Sequence, residues 1–200
     1  MPPTPPQIPL VPTPPPKREW PTPPIHLKVA DLSHSGAQRF FAAVADPGLY
    51  KVLEGSATIV QRLLYPDELR ASEERGGDET PPLLLSGTST YHPPPGPPPI
   101  RSITFFLRSF DGVAFTRGSH LDNEHKEIHI STSYIAGISG DEVRIKREIE
   151  GVLVHELVHV FQWDGEGSCD GGVVEGIADW VRLGAGLGAP HWKEGGGKEG

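Results

Sequence analysis

Two histidines and a glutamate in the C-terminal half of the chain have the spacing of a metal-binding motif. His155, Glu156 and His159 form the pattern H-E-x-x-H. Four residues of an α-helix turn through about 400°, so the two imidazoles project one above the other from the same face. Two such rings can share one Zn²⁺ at about 2.0–2.1 Å each, and the Glu156 carboxylate beside them can reach a water that the metal activates. The pattern therefore predicts a zinc site with Glu156 as general acid/base of a hydrolysis.

A catalytic zinc needs a third protein ligand, and acidic residues further along the chain can supply it. A second helix is predicted over residues 173–183, with Asp170 as its N-cap. It carries Glu175 and Asp179, which are four residues apart and so share one face of that helix. We expect Glu175 to complete the metal site and Asp179 to accept a hydrogen bond from a ligand histidine. The reverse assignment, with Asp179 on the metal and Glu175 in support, stays open.

Other candidate ligands are less suited to the site. The extended pattern H-E-x-x-H-x-x-G-x-x-H fails, because Gln162 and Gly165 stand where it requires glycine and the third histidine. Asp164 is too near His159 in sequence to fold back onto the same metal. Cys169 is the single cysteine, which excludes an internal disulfide and favours a free surface thiol.

The elements that must position these side chains can be located from periodicity. Helical patterns cover residues 37–44, 50–65 and 141–163, and the last contains the motif, with Ser139 to Glu142 read as a capping box. Strands are predicted over residues 102–107, 112–116 and 127–135. In the third strand, Ile128 and Ile130 share the core face with Tyr134. His129 and Ser131 then face the other way, either lining a polar cleft or lying on a solvated strand face.

Proline is concentrated in two places. Of the 23 prolines, 12 lie within residues 1–24 and eight lie between residues 81 and 99. We therefore expect a disordered Pro-rich tail at 1–24, a domain over 25–192 with a Pro/Gly-rich insertion at 71–100, and a disordered tail at 193–200. The PxxP spacings of the first tail suit an SH3- or WW-type partner, although composition alone produces such spacings.

Charge and hydropathy exclude several classes of partner. The chain has 18 basic and 26 acidic residues, a net charge of −8 with no basic cluster, so nucleic acid is not an expected partner. No apolar run approaches the roughly 18–20 residues of a membrane helix, so no membrane partner is expected. Residues 1–10 lack the basic and apolar regions of a signal peptide, which leaves the localisation open with cytoplasmic as the default.

The sequence GVLVHELVHVFQWDGEGSCDGGVVEGIADWVRLGAG, with GVAFT and EIHISTSYI upstream, resembles the basic secretory protein family of plants and fungi. The similarity spans roughly residues 113–192, and HELVHVFQW and EGIADWVRL are its most specific parts. It implies an α+β, zincin-like metallopeptidase fold with a small mixed or antiparallel sheet packed on the active-site helix. It also implies His155 and His159 as ligands, Glu156 as acid/base, and a secreted protein.

The chain departs from that family in three ways. It is acidic, its first residues show no signal-peptide pattern, and it ends on a Gly/Lys/Glu stretch where relatives continue with helical sequence. We therefore carry two hypotheses. The first is a zinc-dependent peptidase acting on peptides or proteins, with the same apparatus also able to hydrolyse other amides. The second is an inactive or truncated zincin-like binding protein whose Pro-rich tail docks a partner.

Overall fold

A computed structural model of the chain describes residues 20–66, 96–165, 167–189 and 192. Apart from residues 20–24 and 96–100, the predicted tails at 1–24 and 193–200 and the predicted insertion at 71–100 lie outside the described residues. Within the described part, four strands and five helices form an α+β fold. The predicted α+β class is therefore confirmed.

The strands form one mixed, open sheet. They are β1 (Ile25–Val29), β2 (Ser102–Arg108), β3 (Ala114–Gly118) and β4 (His125–Ser131), in the spatial order β1-β2-β4-β3. The first three strands of that order run parallel, whereas β3 runs antiparallel to β4 at the edge of the sheet. Every second residue of β2 is buried, as expected for a sheet that presents one face to the core.

The helices are α1 (Ser35–Ala43), α2 (Leu49–Leu64), α3 (Thr132–Gly137), α4 (Glu142–Phe161) and α5 (Gly171–Gly184). The central helix is α4, which packs against α1, α2, α5 and β3. Its residues Leu153, Leu157 and Phe161 are almost fully buried. Among the described helices, none is long and apolar enough to cross a membrane.

Most predicted elements are present, but the strand predicted over 127–135 is wrong beyond Ser131. The chain turns there into α3, because the Ser131 hydroxyl accepts a hydrogen bond from the backbone N–H of Tyr134 and caps the new helix. Tyr134 is therefore a helical residue. Its hydroxyl donates to Glu148 on α4 at 2.8 Å, and its predicted position on the core face of a strand does not apply.

The start of α4 also differs from expectation. The predicted capping box at Ser139 and Glu142 does not form, because Asp141 is the N-cap and its carboxylate accepts from the backbone N–H of Arg144. In contrast, Asp170 caps α5 as predicted, accepting from the N–H of Gly172.

Two strands differ from the sequence prediction. The strand predicted at 112–116 begins two residues later, at Ala114, although the carbonyl oxygen of Val113 still accepts from the N–H of Ser131. Strand β1 was not predicted at all. Its five residues pair with β2, which lies more than 70 residues further along the chain, and such pairing leaves little local signal.

Helix α1 lies very close to the start of α3, just after the end of β4. A Cβ at Gly36 would overlap the carbonyl oxygen of Thr132, the first residue of α3. Arg39, one turn further along α1, donates from Nη1 to the carbonyl oxygens of Ala136 and Ile138, both at 2.8 Å. The arginine therefore satisfies carbonyl groups at the end of α3 that have no partner within the helix.

Candidate active site

The two histidines of the motif project from α4 into one cleft. His155 and His159 are both largely buried, and their rings meet nearly at right angles, with an interplanar angle of 81°. This arrangement brings the two Nε2 atoms to 3.2 Å from each other. The i, i+4 spacing thus places both nitrogen atoms at one point, as the sequence predicted for one face of a helix.

Helix α5 brings two carboxylates to the histidine rings. Glu175 Oε2 lies 3.1 Å from His155 Nε2, and its Oε1 lies 3.5 Å from His159 Nε2. Asp179, one turn later, places Oδ1 3.1 Å from Nδ1 of His155. The structure therefore puts Glu175 on the inner side of the histidine rings and Asp179 on the outer side of one of them.

The packing of α4 on α5 fixes where these carboxylates lie. Arg182 of α5 is buried and donates from Nη2 to Glu148 of α4 at 3.0 Å. Its guanidinium crosses α4 at Gly151, where a Cβ would stand 2.6 Å from Nε of the arginine. The glycine inside an otherwise good helical sequence is thus explained by this crossing.

The spacing of the three ligand atoms fits a small divalent cation. Two atoms bound tetrahedrally at about 2.0–2.1 Å from a metal lie about 3.3 Å from each other. The two Nε2 atoms are 3.2 Å apart, and the two oxygens of Glu175 lie 3.1 Å from Nε2 of His155 and 3.5 Å from Nε2 of His159. A cation bound here would take the Nε2 lone pair of His155, and the ring proton would then lie on Nδ1, where the carboxylate of Asp179 accepts it. A cation suits this set of donor atoms.

Glu156 lies beside this group and points toward the sheet. Its side chain is almost fully buried, and Oε2 accepts a 2.7 Å hydrogen bond from the hydroxyl of Thr116 on β3. Burial raises the pKa of Glu156, and the negative charge of Glu175 acts in the same direction, while the hydrogen bond from Thr116 and the charge of His155 lower it. A carboxylate with a raised pKa beside a cleft is suited to taking up and returning a proton.

The surroundings of His159 favour the neutral form of its ring. Burial lowers its pKa, and the neighbouring His155 lowers it further, while Glu175 and Asp179 act in the opposite sense. A neutral imidazole keeps one nitrogen lone pair, which is what a metal ligand requires.

The cleft around these residues has a volume of about 390 Å³ and is open to solvent on one side. Edge strand β3 contributes all five of its residues to the wall, so the strand beside the site is β3 and not the predicted third strand. The remaining lining residues are Asn123, Lys126, His155, Glu156, His159, Gln162, Asp164, Val174 and Glu175.

His129 and Ser131 do not line this cleft, so the cleft interpretation of their strand face is wrong, as is the solvated alternative. His129 is 4% exposed and lies between the rings of Phe106 and Phe115, which stack on it with centroids 4.6 and 4.5 Å away. Ser131 is fully buried, and its hydroxyl donates to the carbonyl oxygen of Phe110. Strand β4 pairs with β2 on one side and with β3 on the other, so side chains of both strands flank His129.

Two residues at the site were missed by sequence reasoning. Thr116 lies 40 residues before Glu156, and only the pairing of β3 with β4 reveals its position over the α4 carboxylate. Gln162 places Nε2 3.0 Å from Nδ1 of His159. The i+3 spacing of Gln162 from His159 is a signal in the sequence, although the extended metal motif calls for glycine at this position. Among the other residues considered, Asp164 lines the cleft without joining the ligand group, and Cys169 is exposed.

Comparison with known proteins identifies the family. No curated protein and no solved structure shows a significant match to the chain. A family model does match, over residues 22–200, which include the helices carrying the histidines and Glu175; it is the BSP model, described as peptidases of plants and bacteria. The chain therefore belongs to this peptidase family, the basic secretory protein family that its sequence resembles.

Proposed function

We propose that the protein is a zinc-dependent peptidase with a zincin-like fold. The observation that carries the proposal is the convergence of His155, His159 and Glu175, whose facing atoms are 3.1–3.5 Å apart, directly beside the buried carboxylate of Glu156. Membership of a family of peptidases supports hydrolysis of peptide bonds as the reaction. A helix that carries H-E-x-x-H beneath an antiparallel edge strand supports the zincin-like architecture.

Zinc bound by these three residues would polarise the scissile carbonyl and lower the pKa of a water molecule. Glu156 accepts the proton of the attacking water and later delivers it to the leaving amine, so that no net proton is consumed by the enzyme. Thr116 holds the carboxylate through the hydrogen bond to Oε2. Asp179 holds the ring of His155 with its Nε2 toward the ligand group.

The edge strand offers a way to bind an extended substrate. One side of β3 pairs with β4, and the other is not paired within the described sheet. An extended peptide can add to such an edge through main-chain hydrogen bonds. Since β3 lines the cleft and Thr116 contacts Glu156, a peptide bound there would lie against the reactive carboxylate.

Zinc content and cleavage test the proposal together. We expect the purified wild-type protein to hold about one zinc per chain and to cleave members of a broad peptide library. Glu156→Gln should keep the zinc and lose about 10²- to 10⁴-fold in kcat, because it removes the group that transfers the proton. His159→Ala should lose both the zinc and the cleavage.

Glu150→Gln is a matched control, since Glu150 lies on the same helix and its nearest cation is Lys146. This variant should behave as the wild type does. Cleavage by Glu156→Gln at the wild-type rate would reject the mechanism. Zinc binding without cleavage of any peptide would favour the alternative, a binding protein.

A further inference from the structure

The outer nitrogen of each metal-facing histidine has a different partner. His155 Nδ1 faces the carboxylate of Asp179, which can only accept a hydrogen bond. His159 Nδ1 faces the side-chain amide of Gln162, which can either donate or accept. If the amide oxygen of Gln162 faces the ring, Nδ1 of His159 carries the ring proton. If the amide nitrogen faces the ring, Nδ1 must offer a lone pair instead.

The backbone around Gln162 is held firmly, so its side chain is aimed at the ring. Its own N–H donates to the carbonyl oxygen of Val158 at 2.8 Å and closes the last turn of α4. The hydroxyl of Tyr65 donates to the carbonyl oxygen of Phe161 at 2.6 Å, and the indole N–H of Trp163 donates to the carbonyl oxygen of Gly96. Both neighbours of Gln162 are thus anchored to other parts of the chain.

With the nitrogen of the amide toward His159, the arrangement conflicts with metal binding. Nε2 of Gln162 would donate to Nδ1, so the ring proton would have to sit on His159 Nε2, the atom that faces His155 and Glu175. In that orientation Oε1 of Gln162 is buried and has no hydrogen-bond partner among the described residues. A buried acceptor without a donor costs about 1–3 kcal/mol.

The two ends of a glutamine amide have the same shape, so a half-turn exchanges them within the same space. Oε1 then lies near His159 Nδ1 and accepts its proton, while Nε2 takes the buried position that Oε1 held. The lone pair of His159 Nε2 then faces the point shared with His155 and Glu175.

We propose that Gln162 is a positioning residue that sets the tautomer of His159 through its side-chain carbonyl oxygen, as Asp179 does for His155. The proposal rests on the metal centre proposed above, but it concerns a residue outside the ligand set. It makes both outer partners of the histidines hydrogen-bond acceptors, one charged and one neutral.

Nitrogen-15 NMR of the histidine rings tests this directly in the metal-free protein. We expect the proton of His159 on Nδ1 in the wild type and in Gln162→Glu, and a shift toward Nε2 in Gln162→Leu, which has no acceptor. A wild-type protein with the His159 proton on Nε2 would show that Gln162 donates, and would overturn the proposal whether or not zinc binds.

Zinc affinity, measured by competition with a chelator, provides the second readout. We expect the dissociation constant to rise about 10- to 100-fold in Gln162→Leu and to stay near the wild-type value in Gln162→Glu. Gln61→Leu, at a buried glutamine on α2, is the control and should leave the affinity unchanged. An unchanged affinity in Gln162→Leu, or an equal loss in Gln162→Glu, would overturn the proposal. Failure of the wild type to bind zinc would reject the metal centre itself.

Discussion

At the scale of single residues, the contact between Thr116 and Glu156 connects the wall of the cleft to the group that would move the proton. The hydroxyl of Thr116 lies 2.7 Å from Oε2 of Glu156 and 3.1 Å from its backbone oxygen. One hydroxyl has a single proton to donate, and the shorter contact to the carboxylate takes it. Strand β3 therefore both lines the cleft and holds the carboxylate.

Removal of this hydroxyl should change how activity depends on pH. The hydrogen bond from Thr116 lowers the pKa of Glu156 against the effect of burial, so Thr116→Val should raise that pKa further. A general base is active above its pKa, so the acid limb of the kcat/KM profile should move to higher pH. On that acid limb we expect kcat/KM at a given pH to fall about five- to tenfold, which corresponds to one hydrogen bond of about 1–1.5 kcal/mol.

Thr116→Ser, which keeps the hydroxyl, serves as the control and should restore the wild-type profile. The measurement is kcat/KM for one cleaved peptide between pH 5 and 9 in all three proteins. Superimposable profiles for the wild type and Thr116→Val would show that this contact does not tune the base.

The sequence could predict those parts of the site that lie within one helix. His155 with His159, and Glu175 with Asp179, are each four residues apart, and the structure brings all four side chains together. The expectation that these faces of α4 and α5 would meet rested on the chemistry of zinc sites. No local sequence pattern indicates it. Thr116 contacts Glu156 across a strand and a helix, and no periodicity in either element indicates such a contact.

At the scale of elements, the crossing of α4 and α5 determines whether the histidines and Glu175 can meet. The buried guanidinium of Arg182 fills this crossing. It donates to Glu148 and to the carbonyl oxygen of Leu187, and it packs over the ring of Trp192. With so many contacts the guanidinium has little freedom to move aside.

Gly151→Ala should therefore destabilise the fold, although alanine is the better helix former by about 1 kcal/mol. The new Cβ would lie 2.6–2.8 Å from three atoms of the Arg182 side chain. Such overpacking costs about 1–3 kcal/mol, so after the gain of about 1 kcal/mol in helix propensity the free energy of unfolding should fall by up to about 2 kcal/mol.

Gly176→Ala is the matched control for this prediction. Gly176 lies within α5, and a Cβ there would meet no atom within 4 Å. Alanine at this position should raise the free energy of unfolding by about 0.5–1 kcal/mol. Urea unfolding of both variants measures the difference, and a stabilised Gly151→Ala would contradict the role assigned to the crossing.

Element boundaries were predicted less well than the elements themselves. The alternation of EIHIS continues into TSYI, and a period of two cannot show where a strand ends if the next residues fit by chance. The end is set by the hydroxyl of Ser131, which caps α3. Likewise, both Ser139 and Asp141 are suitable N-caps for α4, and the choice between them depends on the path of the preceding chain.

At the scale of the whole molecule, a row of stacked side chains crosses the sheet. Phe106, His129 and Phe115 occupy paired positions on β2, β4 and β3. Glu127 Oε2 lies 3.1 Å from Nε2 of the histidine, and Arg108 donates to its Nδ1. Burial lowers the pKa of His129, and the charges of Arg108 and Arg117 lower it as well, against the opposing effect of Glu127.

This buried histidine should make stability depend on pH. An unfolded chain takes up a proton on His129 near the ordinary pKa of 6.5, whereas the folded protein resists protonation until its lowered pKa is reached. The unfolded state then binds more protons, so the free energy of unfolding should decrease as the pH falls below about 6.5. One such group contributes at most about 1.4 kcal/mol per pH unit within that window.

Urea unfolding of the wild type and His129→Gln between pH 5 and 8 tests this prediction. The variant is expected to be less stable at pH 8 and to show a smaller decrease toward pH 5. The comparison isolates His129, because His159, whose pKa is also lowered, is present in both proteins. Equal slopes in the two proteins would contradict the prediction.

The backbone approach at Gly36 restricts which sequences can share this fold. Because a methyl group at that position would overlap the Thr132 carbonyl, even the smallest side chain would force α1 away from α3. Relatives that retain this helix contact should therefore have glycine at the equivalent position, whatever substrates they have diverged to cleave. A relative with any other amino acid there would have had to move its first helix, and that position alone would identify it in an alignment.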